Sequence, residues 1–150
     1  MLFRSWAERT ANISAIARDI SEVIAELGIE GVEDFEKPCV AYHAPCSLQH
    51  GQKNLDGPAE LLKAAGFDVS TPKNAHLCCG SAGTYNIMQP DMAAELGGRK
   101  ASSLDVLNAD VIATGNIGCL IQIGEYAGTP VVHSVELLDW ATGGPSPLKN

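Results

Sequence analysis

Asp110-Val111-Ile112-Ala113-Thr114-Gly115-Asn116-Ile117-Gly118-Cys119 reads as a buried strand running straight into a helix, with a cysteine at the junction. Val111 to Thr114 is a short apolar run bounded by turn residues, and a helix is expected from about Gly118 to Ala127. On the C-terminal side, Pro130-Val131-Val132-His133 is a last strand, and Ser134 is expected to cap a helix that stops at Gly143-Gly144. On the N-terminal side, Pro90-Asp91 starts a long helix towards Asn108, with Gly97-Gly98 leaving its continuity open. Ser81 is expected to cap a short helix before it. Asp56-Gly57-Pro58 caps a helix running to Gly66, and Phe67-Asp68-Val69-Ser70 alternates like a strand. Pro38 opens the first strand, through Val40 and Tyr42. Ile13, Ile16, Ala17, Ile20, Val23, Ile24 and Leu27 predict one apolar helix face ending at Gly28, followed by an acidic linker from Gly31 to Lys37.

Strand and helix alternate four times without a repeat or low-complexity tract. That order implies right-handed crossovers and an α/β fold with a mostly parallel sheet covered by helices on both faces, a Rossmann-like three-layer arrangement. The expectation is one domain over residues 1–150, with an N-terminal helix and linker over 1–37 and an irregular tail over 145–150. A chain of 150 residues can bury a proper core, and a composition that is 45% hydrophobic but only 5% aromatic suits close helix–sheet packing. The formal charge of −8 argues against nucleic acid or anionic membrane surfaces as partners, since both require a basic face. No apolar run approaches the roughly 20 residues of a transmembrane helix. Met1 to Trp6 lacks an apolar segment and a cleavage site, so no signal peptide is read and a cytoplasmic location is expected. Met1 stands only a few residues before a helix without an obvious start, which reads as a piece of a longer subunit.

Five cysteines are too few and oddly numbered for a disulfide scaffold. Cys46 follows the first strand, Cys78 and Cys79 the second, and Cys119 the third. In parallel sheets the carboxyl ends of the strands share the edge where ligands bind, so three distant segments bring four thiols to one crevice. Each stands at or near a predicted helix N-terminus, where free N–H groups favour a thiolate. Gly80, Gly83, Gly115 and Gly118 allow backbone amides to approach the sulfurs. Any one cysteine is more often a small core residue than a ligand, so the convergence of four carries the reading. Four thiolates suit a [4Fe–4S] cluster or a closed zinc site, and the adjacent Cys78-Cys79 pair suits separated metals better than one ion. Cys39 sits at the other end of the first strand, ~20 Å away at roughly 3.3 Å per residue, and is expected to be buried and structural. His43, His76 and His133 lie near strand ends and are read equally as crevice residues or as satisfied histidines. Tyr85 and Asn116 are read either as hydrogen-bond donors to the site or as ordinary capping residues, and His50 as a loop residue.

Four stretches carry a family resemblance. They are Tyr42-His43-Ala44-Pro45-Cys46; Cys78-Cys79-Gly80-Ser81-Ala82-Gly83-Thr84-Tyr85-Asn86; Asn116-Ile117-Gly118-Cys119; and Val132-His133-Ser134-Val135-Glu136-Leu137-Leu138-Asp139-Trp140. Together they resemble the cysteine-rich CCG domains of heterodisulfide reductase, lactate-utilisation proteins and, most widely, glycolate oxidase iron–sulfur subunits. Here 31 residues separate Cys46 from Cys78 and 39 separate Cys79 from Cys119, close to the family spacing. The resemblance implies a C-terminal domain of an oxidoreductase subunit, inactive alone, that relays electrons from a flavin-containing subunit oxidising glycolate to glyoxylate. It implies an iron–sulfur cluster, 4Fe–4S in type, with Cys46, Cys78, Cys79 and Cys119 as its metal ligands, absent or replaced by zinc in the isolated chain. It departs from the family at Gln122, which stands where the last cysteine of Cys-x-x-Cys belongs, so a five-thiolate non-cubane cluster does not carry over. Two other classes compete: an assembly module with an empty or zinc-filled site, and a thiol enzyme. Against the latter, adjacent cysteines bond to each other only through a strained ring, and no separate base is evident.

Overall fold

Four parallel strands build the sheet: β1 (Cys39–His43), β2 (Asp68–Ser70), β3 (Val111–Thr114) and β4 (Val131–His133), in the order β2-β1-β3-β4. The computed structural model describes residues 6–31 and 37–148. Val40 pairs with Val69 on one side and with Val111 on the other, and Ala113 pairs with Val132. Seven α-helices are found among the described residues: α1 (Ala7–Ile16), α2 (Ile20–Leu27), α3 (Gly57–Ala64), α4 (Tyr85–Met88), α5 (Pro90–Asp105), α6 (Ile117–Gly124) and α7 (Ser134–Ala141). A π-helical segment, Ser47–Gln52, joins them where no element was expected.

The strands are apolar on both sides because both sides are covered. Val40, Tyr42, Val111, Ala113 and Val132 face one core, closed by Leu61 and Leu62 of α3 and by Leu137, Leu138 and Ala141 of α7. Ala41 and Ile112 face the second core, closed by Ala101 and Leu104 of α5 and by Cys119 and Ile123 of α6. This is the three-layer α/β architecture that the order of elements implies. The strand order reverses direction between β1 and β3, so the carboxyl ends of those two strands flank the crevice where such folds take ligands.

Local details depart from the sequence reading. The expected single N-terminal face is two helices, and α1 buries no residue. Asp19 accepts from the Ser21 N–H, while Glu22 reaches back to the Asp19 N–H, a capping box that starts α2 afresh and breaks the periodicity. Asn54, not Asp56, caps α3 by accepting from the Gly57 N–H at 3.0 Å. Ser81 does not cap α4, which begins four residues further on without a side-chain cap. At α7 the capping side chain is His133, whose Nδ1 accepts from the Val135 N–H at 3.3 Å. The helix α5 runs unbroken through Gly97-Gly98. At Gly97 a Cβ would sit 2.6 Å from the Tyr126 ring, so the close approach of α5 to the end of α6 requires the bare backbone there. Most of the Gly31–Lys37 linker (residues 32–36), together with Met1 to Ser5 and residues 149–150, lies outside the described residues; 145–148 are irregular, as expected.

Candidate metal centre

Alternation along β1 places His43 on the same face as Ala41, towards α5 and α6, at the end of the strand nearest the crevice. Its imidazole is fully buried. Three residues further, Cys46 is half-buried at the start of the π-helical segment. From β3 the chain turns at Gly115, and Asn116 caps α6, its Oδ1 accepting from the N–H groups of Gly118 at 3.0 Å and Cys119 at 3.2 Å. That cap sets Cys119 in the first turn of α6, buried against the sheet. Asn116 performs the capping role read for it, and it also lines the cysteine cavity.

Cys78 and Cys79 are not at a helix N-terminus. They lie in the long loop after β2, several residues before α4. The loop is held from below by Lys100 of α5, whose Nζ donates to the carbonyls of Asn74 at 3.0 Å and Ala75 at 3.3 Å. Gln49 Nε2 donates to the Ala75 carbonyl as well, at 3.2 Å. Gly80 then bends the chain with φ of 91°, and its N–H donates to Cys78 Sγ at 3.3 Å. A Cβ at Gly80 would lie 2.6 Å from the backbone oxygen of Ala93. Gly80→Ala is therefore expected to cost about 1–3 kcal/mol from the backbone conformation alone. Urea unfolding should show a lower midpoint at an unchanged slope, and a wild-type midpoint would contradict this account.

Cys46, Cys78, Cys79 and Cys119 line one cavity of about 230 Å³, with Ser47, Ala82 and Gly83 at its exposed mouth. The Sγ atoms of Cys79 and Cys119 are 3.3 Å apart and share a hydrogen bond. That bond, helped by His43 and the Ser81 backbone, holds Cys79 well below the ordinary thiol range, and it pushes Cys119 upwards. Burial and the neighbouring Cys78 raise Cys46. Cys39 is at the opposite end of β1, as expected, but it is exposed rather than buried. It lies at the uncovered amino edge of the sheet, its N–H bonded to Asp110 and its thiol 4.0 Å from an Asp68 carboxylate oxygen.

The other sequence candidates separate clearly. His76 and His50 are exposed, and His133 caps α7. Tyr85 is half-buried at the start of α4 and does not line the cavity. Gln122 is buried yet faces away from the crevice, donating to the Ala93 carbonyl at 3.0 Å and accepting from Asn86 at 3.5 Å. It ties α6 to α5 instead of replacing a ligand. Lys100 was not singled out from the sequence, although its place in the buried stripe Ala93, Gly97, Lys100, Ala101 and Leu104 is a readable signal. It is fully buried, and burial lowers its pKa while the negative charge of the cysteines opposes that shift.

Residues 40–124, more than half of the chain, match the cysteine-rich domain family CCG. The chain belongs to this family. It is similar to the glycolate oxidase iron-sulfur subunit of Escherichia coli, 36% identical over 137 residues, covering 91% of this chain and 33% of that protein. The "Probable glycolate oxidase iron-sulfur subunit" of Bacillus subtilis is 32% identical over 148 residues, covering 92% of this chain and 33% of that protein. Lactate utilization protein A of Oceanobacillus iheyensis is 26% identical over 141 residues, covering 89% and 58%. The chain thus spans about a third of the length of the first two relatives.

The donor set of this CCG domain fits a metal centre. Four thiols on one cavity, a backbone N–H already aimed at one sulfur and a buried cation beneath the loop are what a thiolate-rich group needs to offset its charge. Two of the cavity's neighbours also carry unmet polarity: both ring nitrogens of His43 and the Thr114 hydroxyl are buried with no partner at hydrogen-bond geometry, although the His43 ring stands close enough to Cys79 to favour its thiolate. Each such atom costs about 1–3 kcal/mol while it stays unpaired. No helix among the described residues is long and apolar enough to cross a membrane.

Proposed function

We propose that this chain is an electron-transfer domain of an iron–sulfur subunit, with one cluster held by Cys46, Cys78, Cys79 and Cys119. The observation that carries this reading is the convergence of those four cysteines on a single cavity beside the β1/β3 switch point. A cluster bound there would supply one-electron transfer. The domain's own residues do the rest: the caps of Asn116 and the Gly80 turn aim the sulfurs, and Lys100 balances their charge. The likeness to the Escherichia coli subunit supports a partner that contains flavin and oxidises glycolate to glyoxylate, with this domain on the electron path away from it. A reducing cytoplasm suits the five free thiols. The assembly-module reading, with zinc in the site, keeps one specific support. His43, Cys79 and Cys119 have ligand atoms within 4.8 Å of one another, a spacing suited to a single ion.

Anaerobic reconstitution separates the two readings. Protein purified in air is expected to be apo or zinc-loaded, because the mouth of the cavity admits oxygen to the thiolates. Incubated with iron and sulfide without oxygen, it should take up both, in near-equal amounts, and gain sulfur-to-iron charge-transfer absorbance. Iron and acid-labile sulfide at background level, with one zinc per chain retained, would instead establish the assembly module.

A further inference from the structure

We propose that His43 is a nitrogen ligand of the metal centre, joining Cys79 and Cys119 in the donor set. This rests on the reading that the cavity holds metal; for a single ion the three act together, and in a four-iron cluster, which takes one ligand per iron, His43 would replace one of the four thiolates assigned above. The argument starts from β1. Strand alternation turns Tyr42 into one core and His43 into the other, where a fully buried imidazole meets two buried cysteines. A neutral imidazole has one N–H donor and one lone-pair acceptor, and both need partners when water is excluded. Neither ring nitrogen of His43 meets a partner at hydrogen-bond geometry, and the nearest group the ring acts on is the Cys79 sulfur. A ligand atom of the ring lies within 4.8 Å of both sulfurs, so one ion can reach all three. The thiol pair itself is too close for a loaded site. Zinc–sulfur bonds of about 2.3 Å set tetrahedral sulfurs about 3.8 Å apart, whereas Cys79 and Cys119 stand at 3.3 Å.

The rest of the sheet supports the assignment. Thr114 is the register partner of His43 on β3, and its hydroxyl is likewise buried and unpartnered. A metal-bound imidazole directs its second N–H to a neighbouring acceptor, and Thr114 supplies one on the same face. On the far side of the crevice, Gln122 has turned its amide into the α5–α6 packing and offers nothing to the cavity. Besides Cys119, α6 turns no second donor into the cavity, and a nitrogen from β1 is the remaining side chain within reach.

The test uses the 150-residue chain labelled with ¹⁵N-histidine and two probes, Co²⁺ alone and iron with sulfide under anaerobic conditions. Pulsed EPR of the cobalt form and of the dithionite-reduced iron form should show the coupling of one directly bound imidazole nitrogen. His43→Ala should lose that coupling and bind Co²⁺ roughly tenfold or more weakly, whereas His76→Ala keeps both. His43→Cys should restore tight Co²⁺ binding with stronger sulfur-to-cobalt absorbance and no nitrogen coupling, which also controls for misfolding of the alanine variant. Wild-type protein that binds either probe without histidine coupling overturns the assignment, as does coupling that survives His43→Ala, or failure to bind either probe. Coupling seen with cobalt in a protein that takes up no iron and sulfide supports His43 as ligand while removing the cluster reading.

Discussion

Replacing Cys79 with serine is expected to abolish iron and sulfide uptake, while replacing Cys39 with serine leaves uptake at the wild-type level. Cys79 is the deepest of the cavity thiols, only 2% exposed, and the one whose thiolate is already favoured by its contact with Cys119. A serine hydroxyl is a harder, far weaker acid and does not ionise in that position, so the centre loses its best-prepared ligand. Gln122 provides no substitute because its amide is engaged by Ala93 and Asn86. Cys39 shares neither the cavity nor the carboxyl edge of the sheet, and its exposure makes the exchange nearly neutral for folding. Iron and sulfide per chain, read with visible absorbance after anaerobic reconstitution, distinguish the variants. Equal uptake by both would remove Cys79 from the centre.

Lys100→Met is expected to destabilise the chain by about 1.5–3 kcal/mol and to shift the reduction potential of the reconstituted centre to more negative values. The stability loss follows from the two carbonyls that Nζ holds, at Asn74 and Ala75, in the loop that carries Cys78 and Cys79. The shift in potential follows from Coulomb's law at a buried site. A cation close to the cysteines favours the state with one more electron, and its removal disfavours that state. Methionine fills the same volume, so packing changes little. Urea midpoints and a potentiometric titration read the two effects separately. An unchanged potential with a lowered midpoint would confine Lys100 to a structural role.

The α/β order, the strand positions and the placement of Cys46, Cys78, Cys79 and Cys119 after the strands were legible because each depends on local pattern. Apolar runs of four or five residues, helical stripes and Gly-Asn or Gly-Pro junctions are properties of neighbours in the chain. The N-terminal error had a local cause as well. The stripe from Ile13 to Leu27 was read through Asp19 and Glu22, although that pair forms a capping box and begins a new helix. The caps at Asn54 and His133 were missed because several polar residues compete at each helix start, and only backbone geometry selects among them. Cys39 was expected to be buried from the burial of its strand, but the covering helices do not reach the first residue of β1.

By itself, then, the sequence determined the three-layer sheet and the edge at which the four thiols gather. It could not determine what stands behind them. Lys100 meets the Ala75 carbonyl across 25 positions, and Cys79 meets Cys119 across 40. His43 is isolated from water only when α5 and α6 close over the sheet, and Gln122 is turned aside only by its bond to Ala93. These features arise where segments remote in the chain are packed together. The ordering of such contacts is set by the burial of the whole core, which no local pattern encodes.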